Sequence, residues 1–214
     1  MSKSVLNALK AVAVLVLITV VCVGVLAVCN MFFPKYVPVL DSATASSINS
    51  ICPTGKSDGD AFENGYIVML QEDEYGVALD AFNKDNKSGK AEILAVYGQP
   101  KGDNMYSYTI EAKAAGRDGD VVILVAYLDG VVVGATVKKQ GESYFYKLPQ
   151  DLFDTIKGMS GDVDMNKLIG KTGATLSLSA INRAVNLSNK FAMNYKEQIK
   201  SAISERARAN GGEA

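Results

Sequence analysis

The chain has 214 residues, with 22 Lys and Arg against 23 Asp and Glu, a net charge of −1 and no histidine. That balance argues against nucleic acid as a partner. The missing histidine excludes Ser-His-Asp and Cys-His nucleophiles, His-bearing zinc sites and the C-x-x-C-H haem attachment.

The three cysteines, Cys22, Cys29 and Cys52, form no C-x-x-C pair, which argues against an iron–sulfur cluster held by this chain alone. Redox work would therefore fall to an organic cofactor. Cys52 has no obvious partner outside the apolar run that holds the other two, so no disulfide is expected there.

In chain order, residues 1–10 carry Lys3 and Lys10, and no charge follows until Lys35. Residues 11–33 read as a transmembrane anchor, since about 20 apolar residues span a bilayer as a helix. The preceding lysines place the N-terminus in the cytoplasm and the main domain outside the cell membrane. A cleaved signal peptide has a shorter apolar region. A lipoprotein signal would need a small residue where Val28 precedes Cys29. A buried core helix would show a polar face. An uncleaved anchor is the expectation.

Residues 34–64 read as a linker with a short helix, Asp41 to Ile51, capped by Asp41 or Ser42. Residues 65–195 read as the main domain. Gly65 to Leu70, Glu92 to Tyr97 and Tyr106 to Ala112 are short β-prone runs. Asp120 to Leu128, Asp129-Gly130 and Val131 to Val137 predict a hairpin with a type I′ turn. The first of these runs is apolar nearly throughout, as in a central strand covered on both faces. Pro149 to Lys157 predicts a short helix.

From Ser177 onward Ile181, Val185, Ser188, Ala192, Tyr195, Ile199 and Ala202 fall at helical steps, widened by Ala184, Phe191 and Ile203. About 30 residues at about 1.5 Å each make a helix longer than such a domain is wide. The extension over residues 196–214 is therefore expected to project, or to meet a partner. The fold class is α+β: a mainly antiparallel sheet flanked by helices, after a single N-terminal transmembrane helix.

Just before that helix stands Thr172-Gly173-Ala174-Thr175-Leu176-Ser177. Small residues let a bulky group approach the backbone. A helix start offers free N–H groups and a positive dipole end, which suit a phosphate.

This run resembles the [S/T]-G-A-T-x-[S/T] flavinylation motif of the FMN-binding proteins RnfG and NqrC. The hairpin adds to the resemblance. Family members follow it with H-x-E-T-P-G-L-G. Here Gln140 stands for the histidine, Glu142 and Ser143 keep the acid–hydroxyl pair, and Tyr144-Phe145-Tyr146-Lys147 replaces Pro-Gly-Leu-Gly. Gly116 and Gly119 resemble the family's glycine-rich turn. Ile169 stands where members often have aspartate.

The resemblance implies FMN joined to Thr175 by a phosphodiester, with Thr172, Gly173, Ala174, Leu176, Ser177, Glu142 and Ser143 around it. Tyr144, Phe145 and Tyr146 are candidates to lie against the isoalloxazine, or else to pack in a core or interface. The implied function is electron relay, as the RnfG-like component of an Rnf-type complex that couples electron transfer to Na⁺ or H⁺ transport. The implied partners are the other membrane subunits of that complex. A threonine hydroxyl is a poor nucleophile without a base, so a separate flavin transferase is implied too. Two alternatives stand beside this reading: a free-standing extracytoplasmic flavoprotein, and a non-redox anchored module whose motif is only a helix start.

Overall fold

The computed structural model describes residues 12–25, 38–52, 67–86, 90–100, 106–169 and 173–209. The chain forms two units, Met1–Val37 and Pro38–Ala214. In the first, residues 12–25 are helical (α1), and their large apolar side chains, from Val12 to Val25, are exposed. The Thr19 hydroxyl donates to the Leu15 carbonyl at 2.9 Å, so its polar group is satisfied within the helix. Among the described residues no helix is long and apolar enough to cross a membrane. Residues 11 and 26–33 of the expected anchor lie outside the described residues.

In the second unit five strands follow one another in an antiparallel meander: β1 (Val68–Leu70), β2 (Ala91–Pro100), β3 (Tyr106–Ala115), β4 (Asp120–Leu128) and β5 (Val131–Gln140). The expected α+β class holds. Asp129 (φ 52°) and Gly130 (φ 80°) both take the left-handed conformation that a type I′ hairpin turn requires. Val121 to Tyr127 are buried on both faces of the sheet, although β4 is second from the edge rather than central. On β2, β3 and β5 the strands run beyond the expected limits.

Helix α2 (Ser42–Ile51) starts as predicted, with the Asp41 carboxylate accepting the Thr44 N–H at 2.7 Å. The predicted helix from Pro149 to Lys157 is instead a chain of tight turns ending in a 3₁₀ turn, Asp154–Ile156. Its amides reach back three residues, as in Asp154 N–H to the Asp151 carbonyl at 2.9 Å. Burial of Leu152 and Ile156 holds the segment there.

Three short helices were not foreseen: α3 (Glu72–Tyr75), α4 (Leu79–Asp85) and α5 (Met165–Ile169). Each is too short for helical periodicity to register.

The long helix α6 (Thr175–Ala209) crosses one face of the sheet. Leu178, Ile181, Val185 and Phe191 pack there on Ile110, Ile123 and Val125. Tyr75 and Phe82 meet Phe191 edge-on, Phe82 with ring centres 4.9 Å apart. The end of α6 does not project. Ile199, Ala202 and Ile203 are buried, and the Arg206 guanidinium pairs with the Glu74 carboxylate of α3.

Three asparagines of α6 hold the loop before α5 by its backbone. Asn186 accepts the Val163 N–H at 2.7 Å and donates to the Val163 carbonyl at 2.8 Å. Asn182 accepts the Met165 N–H at 3.0 Å. Asn189 donates to the Gly161 carbonyl at 2.6 Å and accepts the Tyr127 hydroxyl at 2.8 Å.

The opposite face lies under α2, where Ile48 packs on Ala95, Tyr97 and Leu124. Gln99, Ser107, Thr109 and Glu111 are also buried in the second unit. Strand alternation sets the β3 members of this group against Tyr108 and Ile110 on the α6 side.

Candidate functional site

Helix α6 begins at Thr175, two residues before the expected start. Ala174 precedes it, and its carbonyl accepts the Leu178 N–H at 2.9 Å. Alanine has no side-chain oxygen with which to cap a helix. The helical phase then sorts the motif. Ala174, Ser177 and Leu178 are buried, whereas Thr175 and Leu176 face outward. Gly173 is exposed in the left-handed conformation, with φ 74°. Thr172 lies outside the described residues.

The structure brings two of the sequence candidates together. The Ser177 hydroxyl donates to Glu142 Oε2 at 2.7 Å. Glu142 Oε1 accepts the backbone N–H groups of Asp118 at 2.8 Å and Gly119 at 3.1 Å. A Cβ on Gly116 would lie 2.1 Å from that oxygen, so only glycine leaves room for the carboxylate. Gln140 accepts the Glu142 N–H at 2.6 Å, and Asp118 accepts the N–H of the exposed Ser143 at 3.3 Å. The loop after β5 is thus clasped to the turn before β4 and to the first turn of α6.

Burial of the Glu142 carboxyl works to raise its pKa. The Ser177 hydroxyl and the backbone N–H groups of Asp118, Gly119 and Arg117 outweigh that, and leave it below its ordinary value. Glu142 is therefore an ionised acceptor committed to this clasp. Among the described residues no side chain hydrogen-bonds the Thr175 hydroxyl as a base would.

The rest of the loop separates the three aromatic candidates. Phe145 packs against the main core, whereas Tyr144 and Tyr146 are 41% and 76% exposed. Lys147 lies among these candidates too, although a lone lysine after aromatics carries no sequence signal of that position. Its Nζ stands 4.7 Å from the Tyr144 ring centre and 5.9 Å from that of Tyr146. Arg117 Cζ is 5.9 Å from the Tyr144 ring centre. The Lys147 stem also crosses Gly173: a Cβ there would be 3.5 Å from Cδ and 4.0 Å from Nζ.

The arrangement presents an exposed Thr175 at the start of α6, with a cation against Gly173, two residues before it, and two exposed rings around that cation. It can hold an anionic group with an aromatic attached. A cleft of about 530 Å³, lined by Asp162, Arg183, Asn186 and Lys190 among others, lies farther along α6 and includes none of the motif residues. Among the described residues no cluster of acidic and cysteine side chains is placed to hold a metal ion. No protein-family model matches the chain, and no curated protein matches it.

Proposed function

We propose that the chain is a membrane-anchored electron-transfer subunit that carries FMN on Thr175 through a phosphodiester, within an Rnf-type ion-translocating complex. One observation carries this reading. In the Thr172 to Ser177 run the central hydroxyl, Thr175, faces outward, while the next one, Ser177, is tied inward to Glu142. A transferase needs the first accessible, and the second fixes the turn that presents it.

The surrounding residues fit the group. Lys147 offers a positive charge to the single negative charge of a phosphodiester. Leu176 and Ser177 lie in the first turn of α6, where backbone N–H groups can hold its oxygens. Tyr144 and Tyr146 offer exposed rings to the isoalloxazine. Bound FMN supplies the one-electron chemistry, and the chain supplies position and electrostatics.

The apolar run over residues 11–33 supports the anchor, and Lys3 and Lys10 support an extracytoplasmic main domain. The partners under this reading are the other membrane subunits and a separate flavin transferase.

The test is intact mass and in-gel flavin fluorescence of protein made with its transferase, set beside Thr175→Ala. The variant should lose all covalent flavin and melt within about 1 kcal/mol of the parent, since an exposed side chain is removed. A parent without flavin, or a variant that still fluoresces, sinks the proposal. A colourless native protein would instead favour the non-redox module.

A further inference from the structure

Lys147 differs from five lysines of the second unit. Lys113, Lys138, Lys157, Lys167 and Lys200 each pair with a carboxylate. Among the described residues Lys147 has no acidic partner; its ammonium rests on the rings of Tyr144 and Tyr146. Such contacts at exposed sites are weak, so the charge stays available to a stronger partner. Its position is also defined. It lies 4.0 Å from where a Cβ on Gly173 would be, and Gly173 is separated from Thr175 only by Ala174. Glycine at 173 puts no side chain of its own against the ammonium.

We infer that Lys147 fixes the cofactor in place: its ammonium pairs with the phosphodiester on Thr175, and this sets the flavin ring against Tyr144 and Tyr146. The inference rests on the reading of Thr175 as the FMN site.

The geometry gives the assignment its chemistry. A phosphodiester on the Thr175 oxygen is an anion at the outward side of the first turn of α6. The flexible stem of Lys147 lets its ammonium follow that anion as a compact point charge. The Tyr144 ring centre is no farther from the Gly173 Cβ position than the two Nζ distances taken end to end. A ring tethered at Thr175 by its ribityl chain therefore lies within reach of both tyrosines. Lys147 is a positioning residue for the ring, and not a carrier of electrons.

The test uses the full chain made with its transferase. Intact mass gives flavin occupancy, and fluorescence intensity and anisotropy are then compared per attached flavin. The parent should show quenched emission and high anisotropy, because tyrosine rings against the flavin quench it and hold it still. Lys147→Met should raise the emission several-fold and lower the anisotropy. Lys147→Arg should restore both, since it returns the charge. Lys157→Met, at an exposed lysine paired with Asp154, should leave both unchanged. Emission and anisotropy in Lys147→Met equal to the parent's at equal occupancy would overturn the role of Lys147 and leave the Thr175 assignment standing. A parent with no flavin on Thr175 overturns both.

Discussion

Under α6, Ile110, Ile123, Val125 and Phe191 are completely buried and apolar; in the same unit Gln99, Ser107, Thr109 and Glu111 lie just as deep and are polar. The α6 face draws on hydrophobic burial, at about 25 cal/mol per Å² of apolar surface. In the polar set the charged member, Glu111, depends on specific partners, whereas neither side-chain amide atom of Gln99 finds one among the described residues. The Glu111 carboxylate accepts the Tyr97 hydroxyl at 2.6 Å and the Lys138 ammonium at 2.9 Å. A buried charge is tolerable only with such partners. The Thr175 turn is the start of the helix that makes the apolar face. It is therefore mounted on the stronger side of the sheet, and its outward residues can change without loosening the fold.

The contrast can be broken from its strong side first. Phe191→Ala should destabilise by about 3–5 kcal/mol, seen as a lower denaturant midpoint, because it removes the ring that Tyr75, Phe82 and Tyr195 surround. A loss below about 1 kcal/mol would mean that α6 does not carry the core.

Next comes the polar set. Lys138→Met takes a cation from beside the buried Glu111 and should cost about 3 kcal/mol, with much of it recovered in Lys138→Met, Glu111→Leu. If the double variant is no more stable than the single one, charge pairing is not what limits this region.

A smaller effect belongs to the clasp. Ser177→Ala removes the hydroxyl from Glu142 and should cost about 2 kcal/mol in chemical denaturation, as for a hydrogen bond to a charged group. No change would show that the backbone N–H groups hold Glu142 alone.

The smallest effect is a dependence on acid. A carboxyl whose folded pKa lies below its unfolded one stabilises the fold fully above the unfolded pKa. That contribution is lost as the pH falls through the folded pKa. Glu142 is such a group. Glu142→Gln should therefore flatten the drop in melting temperature below about pH 4.5. Parallel curves for parent and variant would remove Glu142 from the acid limb.

Much of the sheet was legible because its signals are local. Asp129-Gly130 between β-branched runs needs only two residues to specify a turn, and both take the predicted conformation. Asp41 likewise caps α2 through a bond three residues away. The misses depend on distant contacts. Tyr75 and Phe82 lie in short helices, and their rings pack on Phe191 and Tyr195, far along the chain. Pro149 to Lys157 has helical residues, but burial of Leu152 and Ile156 decides its tighter path.

In the site, Glu142 and Ser177 were singled out separately, and the bond between them spans 35 positions that no local pattern encodes. Lys147 was invisible as a site residue because its neighbour Gly173 comes from another part of the chain.

The asparagines of α6 have a consequence for how the sequence can drift. Asn182, Asn186 and Asn189 grip the peptide groups of Gly161, Val163 and Met165, which every residue but proline offers in full. These grips read the loop's peptide groups and not its side chains, whereas Asn186 and Asn189 each use both atoms of a side-chain amide and Asn182 uses its oxygen. In a set of diverged copies, variation should gather at the exposed Asp162 and Asp164 of that loop, and be scarce at the buried Val163 and Met165, at Gly161 with its φ of 83°, and at the three helix positions that hold them.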